Sequence, residues 1–290
     1  MNDYIIFTDS CVDLSAEMVK DLQLELLPLS FTLNGAEYAN WPDGRDLSFP
    51  EFYAQLRAGG TASTSQVNTT AFLAAFRTFV EAGTDVLYLG FSSGLSGTVN
   101  SARIAAEDLA AEGHTARVVV VDTLAASMGQ GLLVWHAVQQ KRAGKSMDEV
   151  AAWVEDNKLK LAHWFTVDDL NFLRRGGRLP GASALFGTML NIKPVLHVDD
   201  DGHLIAMEKV RGRKHSLNAL VDHMEKTAID PGNQVIFISH GDCAEEAEYV
   251  ASEVARRFGT KEIYLNYVGP VIGSHSGPGT MALFFLASQR

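Results

Sequence analysis

The sequence predicts an α/β protein of two domains, and three observations carry that expectation. The first half alternates short, almost purely apolar runs with segments of helical periodicity, the pattern of strands buried on both faces of a parallel sheet. After about residue 160 the rhythm changes to a hairpin signal followed by mixed strands and helices. The chain has 290 residues, of which 47% are hydrophobic and 20% charged, enough for one large core or two ordinary ones.

In order along the chain, Tyr4–Thr8 reads as a strand ending at Asp9-Ser10, and Glu25–Leu33 as a second that carries Pro28. Asp85–Phe91 and Arg117–Asp122 are near-continuous apolar runs. Between them, Val99, Ala102, Ala106 and Leu109 recur at helical spacing over about Thr98–Glu112, with Gly113 as the stop. A further helix runs from about Ser127 to Ala143 and ends at Gly144. This order predicts a largely parallel sheet with helices on both faces over residues 1–162. In residues 163–290, Pro194–Val198 and His203–Val210 flank Asp199-Asp200-Asp201-Gly202, a hairpin signal. The aspartates lack the spacing and closing Glu of an EF-hand, so no metal site is expected there. A helix near His215–Lys226, a strand at Gln234–His240, a helix over Glu245–Phe258 and strands at Glu262–Asn266 and Ala282–Ala287 complete a mixed or antiparallel sheet with helices.

Composition excludes several functions. The formal net charge is −11, so a uniformly basic nucleic-acid footprint is absent. No apolar run reaches the roughly 18–20 residues of a membrane span, and stable membrane insertion is not expected. The N-terminus lacks the basic start and apolar stretch of a signal peptide, and the two cysteines, Cys11 and Cys243, have no zinc or disulfide spacing. A cytoplasmic protein without metal or cofactor is expected.

Four segments have the composition of a site. Gly90-Phe-Ser92-Ser93-Gly94-Leu-Ser96-Gly97-Thr98 follows a strand and opens a helix. Its glycines admit close backbone approach, its serines are donors, and the free amides of a helix start favour an anion, carboxylate or phosphate. A triphosphate loop would need Lys where Thr98 stands. The same residues also match G-x-S-x-G, which makes a serine esterase with Ser92 as nucleophile, a later Asp and His275 the alternative. No oxyanion segment of the His-Gly-Gly type precedes that serine, and only about three strands do. Thr61–Thr70 is dense in hydroxyls and amides, and reads either as a helix cap region or as one side of an anion pocket. Val271–Thr280 places His275 among three glycines and a proline, in what reads as a loop that a ligand can approach. Arg174-Arg175-Gly-Gly-Arg178 and Arg211-Gly-Arg213-Lys214 hold six of the 24 Lys and Arg residues, and guanidinium groups suit phosphate and carboxylate. A fifth segment, Asp122–Gly131, reads as tight packing of a small-residue helix start or as ligand contact.

Taken together and in order, Thr8-Asp9-Ser10, Thr64-Ser65-Gln66, Ser92–Thr98, Ser127–Gly131, Arg174–Arg178 and Ile272–Gly279 resemble the DegV family of bacterial fatty-acid-binding proteins. Val67 departs from the proline usual there. The resemblance implies two α/β domains with a long-chain fatty acid between them. It also implies a non-catalytic carrier subunit whose bound carboxylate a separate fatty acid kinase phosphorylates to an acyl phosphate. An acyl chain needs an apolar tunnel, and its carboxylate needs polar partners. On this reading Thr64, Ser65, Ser93, Ser96 and His275 hold the carboxylate. Arg175, Arg178 and Arg211 contact the kinase or the incoming phosphate, with Arg175 and Arg178 turned outward by the Gly-Gly bend.

Overall fold

A computed structural model describes residues 4–179 and 191–290; residues 1–3, on which part of the signal-peptide reading rests, lie outside the described residues. The chain opens with β1 (Tyr4–Asp9), α1 (Ala16–Asp21) and β2 (Glu25–Leu27). The single strand expected over Glu25–Leu33 is two strands in two different sheets. Pro28 has no amide to donate and interrupts the ladder, and β3 begins afresh at Ser30–Leu33. Asn34 and Gly35, both at left-handed φ, close a tight hairpin into β4 (Ala36–Ala39). α2 (Phe49–Arg57) is capped by Ser48 and leads to β5 (Ala62–Ser65). β4, β3 and β5 make a small antiparallel sheet. Thr61–Thr70 thus holds both a short edge strand and a helix cap, the latter at Asn68, whose Oδ1 accepts from the Ala71 amide at 2.9 Å to start α3 (Thr69–Glu81).

β6 (Asp85–Gly90), α4 (Thr98–Ala111) and β7 (Val118–Asp122) follow, and the first sheet is parallel with order β2-β1-β6-β7. β6 is buried along its whole length, as an apolar run in a parallel sheet must be. Strand order reverses between β1 and β6, so the loops after these two strands diverge and leave a crevice at their carboxyl ends. α3 and α4 cover one face of this sheet.

The other face is covered by α5 (Met128–Arg142), followed by α6 (Met147–Asn157) with a Ser146/Glu149 capping box. α5 has almost no apolar asymmetry and is buried on most of its circumference, because it packs between two sheets. Beyond it lie β8 (Leu161–Thr166), α7 (Asn171–Gly176), β9 (Ile192–Val198), β10 (Leu204–Arg211), α8 (Arg213–Thr227), β11 (Ile236–His240), α9 (Ala244–Phe258), β12 (Ile263–Tyr267), α10 (Pro270–Ser276) and β13 (Met281–Leu286). These strands form one mixed sheet, β10-β9-β8-β13-β11-β12, antiparallel except for β11 with β12. Its outer face carries α8 and α9.

The protein is thus an α/β structure with a parallel N-terminal sheet and a mixed C-terminal sheet, each dressed with helices. All strands of the mixed sheet start at or after Leu161, and one apolar cluster runs from Tyr4 and Leu87 through α5 to Phe165 and Phe284, joining the two sheets. The Val271–Thr280 segment is not a loop but the two turns of α10 and a glycine-rich exit, started by Pro270 at the first helical position.

Candidate functional site

A cavity of about 460 Å³ lies between the carboxyl ends of β1 and β6 and the inner face of the mixed sheet. Most of its wall is apolar, with Phe91, Leu95, Phe165, Leu173, Val198 and Phe284 among the lining side chains. Its volume and character are those of a small-molecule site.

One polar part of the wall is built around Thr64 and His275. The alternation of β5 turns Thr64 inward, and α10 brings His275 to it, so that Thr64 Oγ1 and His275 Nε2 lie 2.8 Å apart although 211 residues separate them in sequence. Gly176, at the end of α7, makes room for the ring, since a Cβ there would stand 2.3 Å from His275 Nδ1. Arg178 lies beside them. Its Nε donates to the Leu95 carbonyl at 3.3 Å and another nitrogen to Gly176 O. The expected outward pair of arginines is therefore not found. Gly177, at φ 69, ends α7 in the left-handed conformation, and the chain beyond it turns Arg178 into the cavity wall. Arg175 is exposed over the Phe172 ring at 4.7 Å, and Arg211 is exposed at the end of β10. Burial, and secondarily the Arg178 charge, pushes the His275 imidazole down to about 4, so it is neutral near pH 7.

The serines divide. Ser96 lines the cavity, but its Oγ also accepts from the Thr98 amide at 3.2 Å and pairs with Thr98 Oγ1 at 3.0 Å, capping the start of α4. Ser65 is an exposed residue at the cavity edge. Ser93 lies apart from the others: it is exposed, is not among the lining residues, and its amide donates to Asp122 Oδ1 at 3.2 Å. Ser92 is fully buried and donates to Gly202 O at 2.8 Å. With its hydroxyl directed to a carbonyl and His275 paired with Thr64, the geometry gives the esterase alternative no support.

The Ser92–Gly94 turn instead locks onto the β9–β10 hairpin. A Cβ on Gly94 would sit 2.8 Å from the carbonyls of Asp201 and Gly202, and one on Gly202 2.2 Å from Ser92 Oγ. Asp199 Oδ1 accepts from the amides of Asp201 and His203, which accounts for that aspartate as a turn former. Among the described residues no group of three or more His, Cys, Asp or Glu side chains is disposed to hold a metal. Among them, too, no helix is long and apolar enough to cross a membrane.

Asp122–Gly131 is chiefly packing: a Cβ on Gly129 would meet His163 Nε2 at 2.4 Å, and one on Gly131 the Leu14 side chain at 2.7 Å. Ser127 is the exception. It lines the cavity at φ 54, donates to Asp13 Oδ2 at 2.5 Å and pairs with Ser239 Oγ at 2.9 Å. Sequence reasoning stopped at Thr8-Asp9-Ser10 and missed Asp13 and Ser239. A carboxylate four residues past a strand end is a visible signal, but a lone serine inside a strand is not. Burial raises the Asp13 carboxyl to about 8. Burial also raises Asp9, although Tyr88 Oη, the Phe91 and Cys11 amides and Gln130 Nε2 all donate to it.

The family model described as an uncharacterised protein of the DegV family matches residues 4–288. The DegV domain-containing protein CPE0026 of Clostridium perfringens is 47% identical over 290 residues, covering 100% of this chain and 99% of that protein. Among solved structures, a DegV family protein from Thermus thermophilus, described by its fatty acid binding, superposes with a TM-score of 0.87 at 32% identity, covering 98% of this chain and 99% of the other. DegV of Bacillus subtilis, described as a fatty acid binding protein, superposes with a TM-score of 0.85 at 26% identity, covering 99% and 100%. With the match running nearly end to end, and with five of the six ordered segments that suggested it contributing to the wall of one cavity, the chain belongs to the DegV family.

Proposed function

We propose that the cavity holds one long-chain fatty acid, with its carboxylate at Thr64, His275 and Arg178, and that the loaded chain acts in the cytoplasm as a carrier for a separate fatty acid kinase. The observation that carries this reading is the shape of the polarity: an apolar cavity with Thr64, His275 and Arg178 gathered at one place on its wall. Burying an acyl chain yields roughly 0.8 kcal/mol per CH₂ before ordering costs. A carboxylate enters such a site only if donors and charge compensate its lost hydration. Thr64 and His275 supply the donors and Arg178 the charge, with Ser65 and Ser96 at the edge of the same group. The description of the Thermus thermophilus relative as fatty acid binding supports the same ligand class.

On this reading the chain divides near residues 162 and 163, the ligand lies between the two parts, and no step of phosphoryl transfer belongs to the chain itself. Arg175 and Arg211, exposed, face the kinase, while Arg178 stays with the carboxylate. A fatty acid titration run beside a kinase-coupled assay tests this division. Arg175→Ala leaves oleate affinity intact and lowers acyl phosphate formation, because that arginine acts on charge present only during transfer or on the partner. Arg178→Ala lowers both. Equal losses for the two variants in both assays, or no loss in either, would overturn the assignment.

A further inference from the structure

We propose that Asp13 is the positioning residue of the carboxylate site: its buried side chain fixes the start of α10 and so the point at which His275 meets Thr64. The inference rests on the fatty acid reading of the cavity and adds to it a residue that never touches the ligand's carboxylate.

Asp13 ends the short turn Ser10–Val12 that follows β1 and takes φ 51, a left-handed conformation that a non-glycine residue holds only when its surroundings impose it. It is 5% exposed and joins segments far apart in sequence. Oδ1 accepts the Gly269 amide at 3.0 Å, Oδ2 accepts the Ser127 hydroxyl at 2.5 Å, and its carbonyl accepts Asn266 Nδ2 at 2.7 Å. Gly269 is the residue before α10, and α10 has no side-chain cap of its own. The carboxyl of Asp13 takes that place from the other end of the chain, where an acceptor suits the helix start. The fit is close, since a Cβ on Gly269 would stand 2.6 Å from Asp13 Oδ1.

A helix of seven residues is not stable alone, so its attachments set where it lies. At its start these include Asp13, Tyr53, whose hydroxyl donates to Val268 O at 2.6 Å, and the His240 carbonyl, which accepts the Val268 amide at 2.8 Å. His275 sits six residues beyond Gly269, about 9 Å along a stiff helix at about 1.5 Å per residue. A shift at Gly269 is therefore carried to the imidazole, and a side-chain hydrogen bond of 2.8 Å is lost by a displacement of about 1 Å. Asp9, the buried carboxyl at the end of β1, serves as a contrast: its donors come from the turn that follows it, β6, the Phe91 turn and α5, and none belongs to α10.

The test is a set of oleate titrations on the full chain, with thermal melts, for Asp13→Ala, Asp13→Asn, Gly269→Ala, His275→Ala and the combinations with His275→Ala. Asp13→Ala and Gly269→Ala should each weaken binding about tenfold, the loss of one hydrogen bond to a charged group. Asp13→Asn, which keeps an acceptor for the Gly269 amide, should lose no more than about threefold. In the His275→Ala background neither Asp13→Ala nor Gly269→Ala should add to the loss, because the path runs through the imidazole. Full multiplication of the two losses, or wild-type affinity in both single variants, would overturn the proposal. If Asp13→Ala does not fold, Gly269→Ala disturbs the same contact from the other side and decides. A ligand-free readout separates this inference from the reading beneath it. The ring-nitrogen resonances of His275 should move in Gly269→Ala even without fatty acid, and unmoved resonances would refute the positioning role whether or not the wild type binds oleate.

Discussion

Gly90–Thr98 and Val271–Thr280 are nearly matched in composition, each with three glycines and several hydroxyls, yet they do different things. In the first, Ser92 is bound to Gly202, Ser96 to the start of α4, and Ser93 faces solvent, while Gly94 lets the β9–β10 hairpin come within contact of the turn. In the second, the glycines lie against aromatic and acidic side chains, Gly273 on Tyr53, Gly277 on Phe172 and Gly279 on Asp168, and the segment delivers His275 to Thr64. Glycine and hydroxyl density thus marks where backbones approach closely. It does not say whether the approaching partner is a ligand or another part of the chain.

The largest effect that sharpens this contrast is on stability. Gly94→Ala forces a Cβ against two carbonyl oxygens that cannot turn aside, and we expect a loss of about 1–3 kcal/mol in denaturant unfolding. Ser92→Ala leaves Gly202 O without its donor, with an expected loss of about 1–3 kcal/mol. Both variants should bind oleate with nearly wild-type affinity once folded. His275→Ala should reverse the pattern, with affinity down about tenfold and little change in unfolding. A large affinity loss in Ser92→Ala would break the comparison.

How much of this was legible follows from the same contrast. Apolar runs and helical spacing located β1, β6, β7, α4, α5 and the β9–β10 hairpin, because these elements are fixed by burial and by local turn chemistry. Pro28 signals the division of Glu25–Leu33 between two sheets, and Asn34-Gly35 the β3–β4 hairpin, but the β-propensity of the residues on either side of Pro28 masks both. In the site, Thr64 and His275 carried a readable signal as polar residues in a glycine- and hydroxyl-rich setting. Ser93 shared that setting but faces outward, a matter of turn geometry that composition does not encode. Arg178 turns inward because of one left-handed glycine, and Asp13 matters through contacts more than 100 residues away. Periodicity reports neither.

Smaller effects appear in pH dependence, with opposite signs at His275 and at Asp13. His275 is depressed by burial from 6.5 to about 4. Between those values the unfolded chain takes up a proton that the folded one refuses, so its share of stability is lost as pH falls through that window. Asp13 is raised from 3.8 to about 8. There the folded chain keeps a proton that the unfolded one has lost, so its share of stability is lost as pH rises from about 4 to about 8. Unfolding curves of His275→Ala and Asp13→Asn across pH 4–8 should each flatten the corresponding slope. Oleate should raise the midpoint of His275 in an NMR titration, since a carboxylate beside the ring favours its protonated form. A midpoint unmoved by ligand would place the carboxylate elsewhere. Smallest of all is Ser93→Ala, for which neither stability nor affinity should change measurably.

Native mass spectrometry of the protein purified from bacteria, followed by extraction and identification of whatever it carries, tests the fatty acid site most directly. We expect one long-chain fatty acid per chain, displaced by added palmitate or oleate and retained less well by His275→Ala. Chains that emerge empty and take up neither palmitate nor oleate would contradict it.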